Sequence, residues 1–183
     1  ILDAGPTHIG VESTVLDMTI DPPQILRPGG TPYEILKKTL GKVELNPVAI
    51  AERALPIEKA RSPGVKHKHY APNAEVIVVE GAVSAVVNKV KELAESYGRE
   101  SKKVGILATD ETAAVYKADV VKSLGSRSDL TGIAKNLFRL LREFDSESVD
   151  IILAEGVPLE GLGLAVMNRL RKASGYKILK ANT

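Results

Sequence analysis

The stretch SPGVKHKHYAP, from Ser62 to Pro72, holds two of the chain's three histidines, two lysines and a tyrosine, with no carboxylate among them. A proline near each end and a glycine after the first make it unsuited to a helix. In an extended chain His67 and His69 project to one side, a spacing that two metal ligands can use, but no third ligand accompanies them. The other chemistry is a basic flap. Arg61, Lys66, Lys68 and His69 supply positive charge and Tyr70 an aromatic face, a combination suited to a polyanion such as a nucleoside triphosphate. A solvated basic linker has the same composition, so the residues alone leave these readings open.

Two further stretches carry chemistry-bearing side chains. In GVEST, Ser13 and Thr14 are short hydroxyl donors close to Gly10, suited to phosphate or carboxylate oxygens. Strand alternation sends one to each face, so at most one of them faces a given site. In ILRPGG, Arg27 follows two apolar residues and precedes a turn, where a guanidinium can grip phosphate bidentately or can simply close a strand. A third group of candidates depends on the fold. It comprises Glu80–Gly81, Thr109–Asp110 and the glycine-bearing loop 154–168, with Gly156, Gly161 and Gly163 entering a helix. That loop lacks the third glycine of a dinucleotide fingerprint.

Composition narrows the classes. The 183 residues carry a formal net charge of +2, 44% hydrophobic residues, 4% aromatic residues, no Trp and no Cys. So small a net charge gives no bulk attraction to nucleic acid or membrane, and the scarcity of aromatics argues against a base-stacking platform. Absence of cysteine excludes disulfides, thiolate metal sites and a Cys nucleophile, and fits a cytoplasmic location. No apolar run approaches a membrane span and no signal peptide is visible. The chain opens ILDAG, already strand-like and without Met, which reads as a start within a longer protein.

The elements that must position these residues fall into three parts. In 1–45, VESTVLDMT (11–19) alternates like a strand, QILR is its partner after the Asp21–Pro23 turn, and TPYEILKKTLG starts a helix. There Thr31 is the expected N-cap, Pro32 sits at N1 and Glu34 completes a capping box, with Gly41 ending the helix. Residues 46–74 read as a linker, broken up by prolines 47, 56, 63 and 72. From 75 onward strands and helices alternate. Strands are expected at 76–81, 103–109, 118–125, 149–155 and 176–180. The helical stripe after the first of these runs through Val83, Val86, Val87, Val90, Leu93, Ala94 and Tyr97. ETAAVYK is a short helix, 128–145 a long amphipathic one, and GLGLAVMNRLRKAS the last. This alternation predicts an α/β fold, a Rossmann-like doubly wound, mainly parallel sheet of about five strands, with 149–155 central.

GVESTVLDMT…ILRPGG, then SPGVKHKHYAP, then GLGLAVMNRLRKAS resemble, in order, the long form of the threonylcarbamoyl-AMP synthase family. The resemblance implies an α/β YrdC-like domain whose last strands and helix fill 1–45, a linker over 46–74, and a Rossmann-like C-terminal domain over 75–183. It implies joining of L-threonine, bicarbonate and ATP (with Mg2+) into L-threonylcarbamoyladenylate with release of pyrophosphate. The product serves the tRNA threonylcarbamoyl-transfer machinery. On the matching motifs, Ser13 and Arg27, with Thr14 beside them, line the nucleotide pocket, and Lys66, His69 and Tyr70 belong to a linker lid. His67 stands where an aromatic is expected. The family's upstream Lys/Arg and Ser-Ala-Asn elements are not in these residues, so the expectation is a chain that does not make the adenylate alone. The other reading is a non-catalytic Rossmann-like module binding nucleotide at Glu80, Thr109 and Gly156–Gly163.

Overall fold

A computed structural model describes residues 5, 7–53 and 71–181. Lys66, His69 and Tyr70, together with Arg61, His67 and Lys68, lie outside the described residues. Two sheets are built from those described. The first is small: β1 (Val15–Asp17) pairs antiparallel with β2 (Gln24–Arg27), and β2 pairs parallel with β3 (Glu44–Leu45). Helix α1 (Tyr33–Leu40) bridges β2 and β3.

The second sheet is all-parallel. Its strands are β4 (Glu75–Gly81), β5 (Val104–Ala108), β6 (Val120–Ser123), β7 (Ile151–Glu155) and β8 (Ile178–Ala181), in the order β6-β5-β7-β4-β8. The expected α/β class is therefore observed, with β7 central. All of β5 and β7 is buried, as continuous apolar strands covered on both faces must be. Alternate strand residues feed two core clusters. Ile77, Val79, Ile106, Ile151 and Leu153 pack under α2 (Val83–Arg99) through Val86 and Val90. Val76, Val78, Leu107, Ile152 and Ala154 face α3 (Leu130–Glu147) and α4 (Gly163–Ala173), meeting Ile133, Leu137, Leu141, Phe144, Met167 and Leu170.

Five local expectations change. The strand foreseen over 11–19 is ladder-paired only at Val15–Asp17, because Val11 packs onto the α3/α4 core instead of continuing the sheet. The Thr31 capping box does not form. Helix α1 begins after Pro32, and no side chain caps it. Thr31 is held through its own backbone by Thr14, whose Oγ1 donates to the Thr31 carbonyl at 2.7 Å and accepts from its N–H at 3.1 Å. Glu34 reaches instead to the N–H of Gly161, 3.2 Å away. Strand β3 lies where no periodicity was legible, and ETAAVYK supplies only the 3₁₀ turn Ala113–Val115. Val83 opens the α2 stripe but is exposed, as are its neighbours Ala82 and Ser84.

The N-terminal part is seated firmly on α3 and α4. Gly10 has φ +78°, and a Cβ there would lie 2.4 Å from the Lys135 Cα, so the chain crosses α3 at backbone contact. Asn73, two residues before β4, donates its N–H to Asp145 of α3 at 2.7 Å.

Candidate functional site

Sequence places Ser13 and Arg27 fourteen residues apart, and the short antiparallel pair β1–β2 brings them together. The Arg27 guanidinium donates from Nε (3.2 Å) and Nη2 (2.9 Å) to the Ser13 carbonyl. This two-pronged contact fixes the backbone that presents the Ser13 side chain, which is exposed. Gly29 explains why ILR is followed by PGG. A Cβ at Gly29 would sit 2.2 Å from the Glu12 carbonyl oxygen and 2.5 Å from the Thr14 nitrogen, so only glycine lets the two segments touch. The Gly30 N–H completes the seam by donating to the Glu12 carbonyl at 3.0 Å. The EST and ILRPGG stretches thus form one packed wall. Within it the Thr14 hydroxyl is engaged with Thr31, leaving Ser13 as the outward hydroxyl.

Helix α4 grips this wall from behind. Arg169, almost fully buried, donates from Nε to Glu12 Oε2 at 2.7 Å and from Nη1 to Asn168 Oδ1 at 2.8 Å. Burial would raise the Glu12 carboxyl, but the Arg169 charge, a backbone hydrogen bond, the Arg169 hydrogen bond and the Arg27 charge together hold the group below the ordinary carboxylate value. Asn168 Nδ2 donates to the Ala49 carbonyl at 2.8 Å, fixing the chain just after β3. The motif GLGLAVMNRLRKAS therefore acts as a clamp, and the sequence reading found its helix without finding its partners.

The strand ends of the large sheet hold two further clusters, both built from mutually engaged groups. Fully buried Glu155 accepts at Oε2 from the Thr109 N–H (3.0 Å), Thr109 Oγ1 (3.0 Å) and Thr112 Oγ1 (2.8 Å), and at Oε1 from the Tyr116 hydroxyl. Arg127 lies 3.9 Å away. Burial, then the hydrogen bond and charge of Glu155, push the Tyr116 phenol far above its ordinary value, so it stays a donor. Beside it, Arg171 forks onto Glu80 (both contacts 2.8 Å) and reaches the Ile50 carbonyl (3.1 Å) and Glu52 (3.2 Å). Lys180 joins Glu80 at 2.8 Å.

The glycine loop is engaged too. Gly156 donates to the Val79 carbonyl, Gly161 to Glu34 and Gly163 to the Glu160 carbonyl. The N–H groups that would cradle a phosphate there already have acceptors, one of them a carboxylate. Among the described residues no group of three His, Cys, Asp or Glu side chains could hold a metal ion, and no helix is long and apolar enough to cross a membrane.

Comparison with known proteins returns one consistent family. The family model for the threonylcarbamoyl-AMP synthase C-terminal domain matches residues 32–175. The threonylcarbamoyl-AMP synthase of Pyrococcus abyssi is 50% identical over 180 residues, covering 98% of this chain and 50% of that protein. Its Bacillus subtilis counterpart is 42% identical over 180 residues, with the same coverage of each chain. A crystal structure of P. abyssi Sua5 complexed with L-threonine superposes with a TM-score of 0.87 at 49% identity, covering 98% of this chain and 50% of that one. The chain spans about half the length of the curated relatives it matches. By its sequence and by its fold, it belongs to the threonylcarbamoyl-AMP synthase C-terminal domain family.

Proposed function

We propose that this chain serves a threonylcarbamoyl-AMP synthase, supplying one wall of the nucleotide pocket, the linker that closes it and the Rossmann-like domain. In this reading 1–45 belong to the YrdC-like domain, 46–74 are the linker and 75–183 the C-terminal domain. The observation that carries it is the wall itself. Arg27 chelates the Ser13 carbonyl and Gly29 packs beneath Glu12 and Thr14, so the two motifs that match the family form one surface with an outward hydroxyl.

The reaction needs no protein nucleophile. Threonine's amine attacks the carbon of CO2, shedding a proton, or that of bicarbonate, from which a C–O bond breaks and water leaves, to give a carbamate. A carbamate oxygen then attacks the α-phosphorus of ATP, the bond to the β-phosphate oxygen breaks, and pyrophosphate leaves. The protein positions these groups, neutralises phosphate charge and excludes water while the carbamate exists. Ser13 would donate to an anionic oxygen, and Arg27 acts by holding Ser13 in place. Lys66, His69 and Tyr70 would bring charge and an aromatic face over the pocket. The described residues around the wall do not make a Mg2+ site, because Glu12 is taken by Arg169; any Mg2+ would arrive with ATP. Bicarbonate as substrate, cytoplasmic location and delivery of the adenylate to the tRNA-modifying machinery belong to the same proposal.

The module reading, with nucleotide at Glu80, Thr109 and Gly156–Gly163, has no support from the geometry, because each of those groups is already engaged by other residues: Glu80 by Arg171 and Lys180, Thr109 by Glu155, and the glycine N–H groups by Val79, Glu34 and Glu160. The test is threonine- and bicarbonate-dependent pyrophosphate release from ATP by the full-length protein. Arg27→Ala should lower kcat/KM about 10- to 100-fold, roughly 1.4–2.8 kcal/mol of transition-state stabilisation. The 183-residue chain alone should give no turnover. Normal activity in the full-length variant, or turnover by the chain alone, would sink the reading.

A further inference from the structure

Ser13 stands before the β1 ladder, which begins at Val15, so strand pairing does not itself fix it. Part of what holds it comes from the helices of the Rossmann-like part. Gly10 crosses α3 at backbone contact, and Val11 packs onto the α3/α4 core. Glu12 turns its carboxylate onto α4, where Arg169 Nε donates to Oε2 at 2.7 Å. The Ser13 side chain, one residue on, is exposed. The anchored carboxylate and the outward hydroxyl thus belong to consecutive residues.

Arg169 is oriented in turn. Its Nη1 donates to Asn168 Oδ1 at 2.8 Å, and Asn168 Nδ2 donates to the Ala49 carbonyl at 2.8 Å. Contacts therefore run from the chain just after β3, through α4, to the residue beside Ser13. Arg169 is almost fully buried, and a charge-assisted bond made there fixes a direction, whereas apolar packing tolerates sliding.

We infer that Arg169 is a positioning residue for the adenylation step. Acting through Glu12, it sets where the Ser13 hydroxyl stands and makes α4 a working part of the site. The inference rests on the function proposed above and assigns Arg169 no contact with substrate. A hydroxyl that donates to an oxygen on which charge develops must be closely placed, and a shift of about 1 Å can cost about 100-fold. Loss of Arg169 therefore acts on the chemical step more than on substrate binding.

The experiment measures threonine- and bicarbonate-dependent pyrophosphate release from ATP by the full-length protein. Arg169→Met should lower kcat about 10-fold, while the KM for ATP moves less than about 3-fold. Arg169→Lys, whose ammonium can still donate to Glu12, should return kcat to within about 3-fold of wild type. Glu12→Ala breaks the same contact from its more exposed partner. It should lower kcat as much as Arg169→Met does, and it keeps the test decisive if that variant fails to fold. The double variant should be no slower than the slower single one, because Arg169 acts through Glu12. Phe144→Ala is the comparator. Phe144 packs against Gly105, well along α3 from the Gly10 crossing at Lys135, so its loss should lower stability and leave kcat unchanged.

Hydrogen exchange supplies a readout independent of turnover. The Gly30 N–H is bonded to the Glu12 carbonyl at 3.0 Å and the Thr31 N–H to Thr14 Oγ1 at 3.1 Å. Both should exchange about 10-fold faster in Arg169→Met, with β5 and β7 still protected. Unchanged kcat in folded Arg169→Met, a rise in KM alone, additive losses in the double variant, or an equal kcat loss in Phe144→Ala each overturns the inference. The two proposals can fail separately. No turnover in wild type, with faster exchange at Gly30 and Thr31 in Arg169→Met, defeats the proposed function and leaves the anchoring. Turnover in wild type that Arg169→Met matches defeats the positioning role and leaves the function.

Discussion

In the five-stranded sheet every residue of β5 and β7 is buried, and helices cover both faces. In the three-stranded sheet only Ile25 and Leu26 of the strand residues are buried, and α1 buries none of its own. Helix α1 is as amphipathic in pattern as its larger neighbours, yet Ile35 stands 55% exposed and Leu40 42%. The difference lies in what holds each region. The large sheet is held by its own apolar interior. The small one is held by specific polar and backbone contacts: Arg27 to Ser13, Thr14 to Thr31, Gly29 beneath Glu12, and Arg169 and Asn168 reaching in from α4. A region fixed by directional contacts leaves polar groups at its surface, where a ligand can use them, while the core-filled region closes its strand ends on themselves.

Three substitutions would break or sharpen this contrast. The largest effect belongs to the apolar interior. Phe144, fully buried between α3 and the sheet, should cost about 3–5 kcal/mol when changed to Ala, read from the denaturation midpoint with an unchanged slope. A loss below about 1 kcal/mol would mean that the large sheet is not the stabilising core.

Next comes the buried pair linking the sheet to α4. Arg171→Met leaves Glu80 with Lys180 alone and should cost about 2–3 kcal/mol, less than a fully isolated pair because Lys180 remains. Burial would raise the Glu80 carboxyl, but hydrogen bonds from Arg171 and Lys180 hold it below the ordinary 4.5. Its contribution is therefore complete above that value and is lost as pH falls through the lower folded value. The acid limb of the stability profile should flatten in Arg171→Met. An unchanged limb would show that Glu80 gains nothing from the pair.

The smallest effect is expected in α1, where Ile35→Ser should shift stability by less than about 0.5 kcal/mol. A larger loss, measured by thermal unfolding of the 183-residue chain, would place Ile35 against something that its exposure here does not show.

The same contrast explains what could be foreseen. In the large sheet, strand positions, helix stripes and the central place of 149–155 follow from runs of apolar residues, and they recur in the structure with boundaries shifted by one or two residues. The small sheet was less legible. Two residues, Glu44 and Leu45, are too few to show alternation, so β3 carried no signal. Thr31, Pro32 and Glu34 satisfy the capping pattern, but Thr14 and Gly161 compete for the same groups and win. Ser13 and Arg27 were recognisable as candidates by residue type and motif, but not as partners. Asn168 and Arg169 carried no signal of their partners, standing in a helix whose sequence does not say what lies opposite it.

The amino-acid sequence by itself determined the α/β alternation, the amphipathic faces of α2 and α3, and the places of the EST, ILR and linker motifs. These are local properties, set by side-chain period and backbone preference over a few residues. Only the tertiary structure decided which of the neighbouring side chains Asn168, Arg169 and Arg171 meets Ala49, Glu12 or Glu80. Such choices depend on what stands opposite α4. The groups opposite come from residues about 90 to 160 positions away, brought there by burial of the apolar faces rather than by any preference of the charged residues themselves.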